Sequence, residues 1–360
     1  MSHASGSSGP SRLSVWLRRA LRFGVPVIVA YLIVTRIDFG VLKESFLDTN
    51  PLLFTVGILH APVLIVIAAY RWKVLLQQYL SKAVGTVFAF RHYWIGQAIG
   101  FFTPASLGLD AYRIVVGGKR LGSYPRNVLI VLVEKLMALM TCTAIIVALY
   151  PLVSGVTDPR IRQIVTAAYV LLLVSLAAVL LAACAGRSRA VAVISDRAVR
   201  YVSSVLKNIG KRIGMNGISG NPGISLRTIT DPLMSPRVLA VIVLSLGIQL
   251  VSSVKSQIYF ISLGYDIPLA VNLFVTPMIY FIFLLPISLG SIGIREGVYI
   301  LMYRMFGVPA EIALLISFYN LMGVLLNNAV GGVIVLLSPP DPDERGARRG
   351  REDQDAYAGG

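Results

Sequence analysis

Charge is scarce in this chain of 360 residues: Asp, Glu, Lys and Arg together make up 14% of it. Cysteine is nearly absent. Cys142 and Cys184 both lie inside apolar segments with no metal-ligand spacing around them, so neither a disulfide framework nor a metal site is expected. Of three histidines, His60 sits in mid-segment with no second histidine near it and reads as a hydrogen-bonded core residue. Acids are the rarest charge, 17 against 33 bases, for a net charge of +16. Apolar residues fill the gap, at 56% of the chain and a mean hydropathy of +0.75, more than a water-soluble domain can hide. Apolar runs reach or approach the ~20 residues that cross ~30 Å of hydrocarbon. Soluble enzymes and disordered chains are thereby excluded. The bases fall between the apolar runs, which points to anionic lipid headgroups as partners and not to nucleic acid.

The pattern predicts an all-α integral membrane protein, a polytopic bundle of about six full spans plus two re-entrant hairpins. A cytoplasmic segment, 1–19, leads into a first half, 20–186. Its first span is the stretch Phe23 to Thr35, uncleaved because Arg36 and Asp38 follow where small residues would be needed. A second span, Pro51 to Tyr70, ends at Arg71, Trp72 and Lys73, an aromatic between two bases at the expected depth of the headgroups. Tyr93 to Leu109 is apolar but broken at Pro104 and Gly108, and bases without acids flank it on both sides, so a hairpin near 93–112 dips in and returns. Spans at Asn127–Tyr150 and Ile164–Ala185 complete this half. Residues 187–237 carry nine bases and two acids and form a cytoplasmic surface linker. The second half, 238–337, holds a span at Val238–Leu263, a hairpin near 269–296 and a span at Ala310–Leu337. A polar tail, 338–360, has the composition of a disordered segment. With the bases so distributed, both termini are expected on the cytoplasmic side of the cell membrane.

Pro104 to Arg113 and Pro286 to Arg295 share the pattern Pro-x-Ser-Leu-Gly-x-x-x-x-Arg at an offset of 182. The charge bias opens the first hairpin to the cytoplasm and the second to the outside, as in an inverted-repeat transporter; two coincidentally kinked helices are the alternative. Proline and glycine stop a helix and leave backbone groups unpaired, which is tolerated at membrane depth only against protein or a wet cavity. Half-helix N-termini then favour anions, and Arg113 and Arg295 add one guanidinium fork per hairpin, suited to phosphate. Near them stand Asp110, Glu134 and Glu296. Glu134 lies too deep to be a solvated charge and needs a counter-ion; Lys135 points about 100° away round the helix, so an arginine from a hairpin is expected. A structural ion pair and a substrate contact both satisfy that need. The expected substrate-binding set is Arg113, Arg295, Asp110, Glu134 and Glu296, shaped by Pro104, Gly108, Pro286, Gly290 and Gly293. Polar stripes at Asn320, Gly323, Asn327 and Gly331, and at Ser245, Gln249, Ser252 and Ser256, each mark one helix face and read as helix–helix packing.

Arg71-Trp72, the run Phe101 to Arg113, Glu134-Lys135, the run Leu285 to Gly297 and Phe306 to Pro309 resemble the flippase-like membrane domain of lysylphosphatidylglycerol synthases, over about residues 20–337. The first motif departs from that family's pattern at Thr103 and Leu109. The resemblance implies translocation of an anionic or aminoacylated phospholipid, or of an isoprenoid lipid or glycolipid. In the family a soluble domain performs aminoacyl transfer; only 23 polar residues follow Leu337 here, so that chemistry is not expected. The leading reading is a lipid flippase or lipid-binding translocator with no catalytic residue, metal or cofactor. A membrane-embedded transferase, or a scaffold docking lipid-biosynthesis enzymes through 187–237, is the alternative. Oligomeric state stays open.

Overall fold

A computed structural model describes residues 35, 38–80, 83–101, 103, 107–121, 124–153, 159–187, 235–284 and 293–337. The first expected span apart from Thr35, the linker from 188 to 234, the tail, and Pro104, Pro286 and Gly290 lie outside the described residues. Those described form ten helices: α1 Phe39–Leu47, α2 Pro51–Leu80, α3 Thr86–Phe101, α4 Leu107–Leu121, α5 Tyr124–Val153, α6 Pro159–Arg187, α7 Arg237–Ser262, α8 Leu269–Leu284, α9 Ile294–Arg304 and α10 Ala310–Leu337. Helices are the expected outcome in hydrocarbon, because each backbone N–H finds its acceptor within its own segment. Five of them, α2, α5, α6, α7 and α10, are long and apolar enough to cross a bilayer. The chain is a polytopic helical membrane protein.

Each expected hairpin is a pair of shorter helices, α3 with α4 and α8 with α9. α2 extends ten residues beyond the span expected from the sequence. Between Arg71 and Leu80 there is no proline or glycine to stop it, and Leu75, Leu76, Tyr79 and Leu80 continue the buried seam begun by Ala61, Ile65 and Ala68. Arg71 and Trp72 are therefore buried inside the bundle, 4% and 1% exposed, and do not project from it as surface anchors. This corrects the expected end of the second span.

The same offset of 182 that relates the two proline motifs lays α2, α3, α4 and α5 on α7, α8, α9 and α10 in turn. Equivalent helices α2 and α7 pack on one another. Gly57 faces the ring of Tyr259, while Arg71 reaches Ser245, so residue numbers rise along one helix as they fall along the other. Two equivalent helices running antiparallel make the halves inverted with respect to each other. The hairpin arms are exchanged between halves: α8 packs on α5, and α3 packs on α10. At the second contact a Cβ on Gly331 would strike the Trp94 carbonyl and crowd Ala98, so only glycine lets the two helices approach so closely.

Polar residues on the long helices mostly serve this packing. Asn327 donates to the Ala61 carbonyl across the α10–α2 contact, at 3.1 Å, and Gly323 faces Ala61. On α7 the buried stripe is Ser245, Gln249, Ser253 and Ser256. Ser253 stands where the sequence pattern suggested Ser252, which is half-buried. His60 bonds through Nδ1 to the Val56 carbonyl one turn back, at 2.8 Å. The core divides into two clusters, one around Trp72, Tyr93 and Leu109 in the first hairpin region, the other around Phe260, Phe274 and Tyr303 in the second.

Candidate functional site

The first site is assembled where α4 begins. Its start is organised by Thr103, whose hydroxyl donates to the Gly100 carbonyl at 2.9 Å and accepts from the Gly108 N–H at 2.7 Å. One side chain thus joins the end of α3 to the first turn of α4, supplying part of what a helix terminus lacks. α4 then presents Asp110 and Arg113, one turn apart, on the face turned toward α5.

Five charged side chains meet there. Arg113 donates through one terminal nitrogen to Asp110 at 2.6 Å and through the other to Glu134 of α5 at 2.7 Å. The second oxygen of Glu134 accepts from Arg71 of α2, also at 2.7 Å, and the second oxygen of Asp110 pairs with Lys135 at 2.8 Å. Arg71 spends its other terminal nitrogen on the Ser245 hydroxyl at 3.0 Å. The rings of Tyr93 and Trp72 lie against the Arg113 guanidinium, with centroids 4.9 and 5.6 Å away. An aromatic face is a good neighbour for a planar cation that has lost its water.

Arg71, Arg113, Asp110 and Glu134 are all buried, while the Lys135 side chain is 43% exposed. Three bases against two acids leave the group at +1, and its one open edge is the Lys135 ammonium. Buried ion pairs cost desolvation and hold only when their remaining donors and acceptors are satisfied. Here both carboxylates are fully engaged, whereas the Nε of Arg71 and of Arg113 have no hydrogen-bond partner.

The second site is simpler. Gly293 adopts a φ of +89°, which only glycine takes without strain, and begins α9. Its N–H donates to Glu296 at 2.5 Å, whose other oxygen accepts from Arg295 at 2.5 Å; Arg295 Nε reaches the Ser317 hydroxyl of α10 at 3.2 Å. Each motif arginine thus reaches the span that follows it, Arg113 to Glu134 and Arg295 to Ser317. The acids differ: Arg113 pairs with Asp110 on its own helix and with Glu134 on the neighbouring span, whereas Arg295 pairs with Glu296 on its own helix and meets a hydroxyl, Ser317, on the neighbouring span.

Among the described residues no hydrogen bond or ion pair links the two groups. Arg113, Asp110 and Glu134 are brought together, Arg295 and Glu296 form a separate pair, and Gly108 and Gly293 stand at the helix starts. Pro104, Pro286 and Gly290 lie outside the described residues. Sequence reasoning missed Arg71 as a member, having treated it as an interfacial anchor, and missed the pairing of Lys135 with Asp110. Among the described residues no cluster of histidine, cysteine and acids is fit to hold a metal ion.

The family model described as Lysylphosphatidylglycerol synthase TM region matches residues 19–326 of the chain, which takes in both sites and every described helix but the end of α10. No curated protein and no solved structure matched the chain. With most of its length covered by that one match, this inverted helical bundle belongs to the lysylphosphatidylglycerol synthase transmembrane-region family.

Proposed function

We propose that the protein is a lipid translocator of the cytoplasmic membrane, with both termini inside, and that it binds the anionic headgroup of its lipid at the Arg71–Arg113–Lys135 cluster. One observation carries this reading. A buried group of five charges holds a net +1 and opens through a single half-exposed lysine, so one monoanion completes its neutralisation. Inverted halves with interrupted helices, and membership in a family of membrane lipid proteins, support the transport side of it.

The steps follow from the donors. An approaching phosphate meets Lys135 first, because the rest of the cluster is covered. It then competes with Asp110 for one arm of the Arg113 fork, the arm that lies nearest the lysine. Glu134 stays in place between Arg71 and Arg113 and keeps the two guanidinium groups from repelling each other. Arg295, paired with Glu296 at the start of α9, is the counterpart in the inverted half and receives the headgroup when the opposite side is open.

The test is headgroup exposure of a fluorescent phosphatidylglycerol in reconstituted vesicles. Arg113→Lys keeps the charge and loses the fork. It should lose most of the translocation rate while its detergent melting curve stays cooperative. A parent-like rate in Arg113→Lys would end the headgroup role of this cluster.

A further inference from the structure

The two hairpins match in sequence and differ in how they are held. In the first, Gly96 and Gly100 of α3 let Leu109 of α4 lie against their backbone: a Cβ on Gly96 would stand 2.7 Å from Leu109 Cδ1, and one on Gly100 would stand 3.0 Å from Leu109 Cβ. Thr103 bonds across the same junction, and His92 Nδ1 of α3 is hydrogen-bonded to the Tyr112 hydroxyl of α4 at 2.8 Å. At the offset of 182, α8 carries Met278 and Ile282 in place of the two glycines, and Phe274 and Ile294 replace His92 and Tyr112. Met278 and Ile282 fill the space that a glycine leaves open, and Phe274 and Ile294 have no polar side-chain atom with which to bond. α4 accordingly packs closely on both α3 and α5, whereas α9 packs on α10 and only slightly on α8.

The charges divide in the same way. Arg113 is tied to α5 by Glu134, which is tied in turn to Arg71 of α2, and Asp110 is tied to α5 by Lys135. The positions equivalent to Glu134 and Arg71 are Ile316 and Ser253. Arg295 therefore keeps its acid on its own helix, and its bond to another helix, among the described residues, is that of Nε to Ser317 at 3.2 Å. The far end of α9 is fastened more firmly. Tyr303 donates to Asn272 of α8 at 2.7 Å, Asn272 donates to Gln257 of α7 at 2.7 Å, and Gln257 donates to the Ile267 carbonyl at 2.9 Å. Tyr303 and Asn272 are wholly buried, and bonds of that kind are costly to break in a low dielectric.

We infer that α9 is the moving arm of the molecule: it swings about its Tyr303 end and turns at Gly293, while α3, α4 and the charge cluster stay together as one fixed body. Gly293, at a φ of +89°, stands at the start of α9 and accepts changes of backbone angle that other residues resist. Local opening follows the path that breaks the fewest interactions. To leave its neighbours, α4 must break the ion pairs from Arg113 to Glu134 and from Asp110 to Lys135 and also withdraw Leu109 from two glycines. The start of α9 gives up the Ser317 bond and apolar contact with α10. Resting on the transport reading above, the same motion makes access to Arg295 the step that α9 controls, so the two sides of the path open by different means.

Hydrogen–deuterium exchange of the full chain in phosphatidylcholine nanodiscs, with no anionic lipid present, tests the motion. Amides 297–301 of α9 should exchange about tenfold or more faster than amides 115–119, their equivalents in α4, and faster than those at the Tyr303 end of the same helix. Tyr303→Phe removes one hydroxyl and keeps the ring; it should raise exchange at 302–305 severalfold and leave 115–119 unchanged. Equal exchange in the two equivalent stretches of the parent, or faster exchange in α4, would overturn the moving arm. Unchanged exchange at 302–305 in Tyr303→Phe would overturn the pivot. No anionic lipid takes part, so a headgroup site refuted by Arg113→Lys leaves these results intact, and equal exchange in the two arms leaves the headgroup site intact.

Discussion

Replacing Glu134 with glutamine removes one charge and almost no volume, which makes it the cleanest probe of the buried cluster. Both carboxylate oxygens are engaged, one by Arg71 and one by Arg113, each at 2.7 Å. A glutamine side chain can still accept from one guanidinium, but its amide N–H₂ must then face the other, donor against donor. The cluster goes from +1 to +2 with no water to screen it. A pair of unit charges ~4 Å apart is worth about 4 kcal/mol at an effective dielectric of about 20, and breaking a buried pair by removing one partner costs about 3–5 kcal/mol. Glu134→Gln should therefore lower the free energy of unfolding in an SDS titration by about 3 kcal/mol or more. Adding Arg71→Met removes a base together with the acid, returns the cluster to +1 and should recover part of the loss. A single variant within about 1 kcal/mol of the parent would refute the view that Glu134 holds two arginines together. So would a double variant less stable than the single one by the full value of a second broken pair.

Lys135→Gln takes the charge from the only exposed member; a pair of that exposure is worth at most about 1 kcal/mol, so melting should barely move while salt-sensitive capture of anionic lipid in vesicle flotation falls. Gly331→Ala drives a methyl into the Trp94 carbonyl, which belongs to a helix backbone and cannot step aside, and should destabilise by about 1–3 kcal/mol; Gly332→Ala, with open space around it, should be neutral or stabilising by up to about 1 kcal/mol, and equal losses in the two would refute the close α3–α10 contact. Membrane orientation is read with an impermeant thiol reagent: a cysteine introduced at position 266 should react from outside and one at position 210 should not, and the reverse pattern would invert the proposed topology.

The five described spans and the two interrupted segments were legible because hydrocarbon imposes a length and a composition, and because proline and glycine stand at matching places in both halves. The need of Glu134 for an arginine was legible from depth alone. Arg71 was not. The rule that bases and aromatics gather at headgroups fits Arg71, Trp72 and Lys73 well, and it hides the signal beside it: no residue from Arg71 to Leu80 can end a helix, and Trp72, Leu75, Leu76 and Tyr79 keep the spacing of a buried face. A helix that continues carries its arginine inside. The bond from Lys135 to Asp110 escaped for a different reason. The two are 25 positions apart on separate helices, and only the docking of α4 against α5 brings them within 2.8 Å. The exchange of hairpin arms between halves left no trace in the sequence, since any apolar face could have met any other.

That exchange constrains how the protein is made. α3 rests on α10 and α8 rests on α5, so the first hairpin emerges from the ribosome long before the surface it packs on exists. With 16 residues, α3 is too short to cross the hydrocarbon alone, and the side of Trp94 that meets Gly331 has only lipid or translocon beside it until Gly331 is synthesised, while its other side packs on the first-half core. Insertion cannot proceed strictly in chain order: the first half must wait, incompletely folded, at the membrane. Two halves expressed from separate genes should then rescue one another only when both are present together, and neither alone should survive the quality-control proteases of the bilayer.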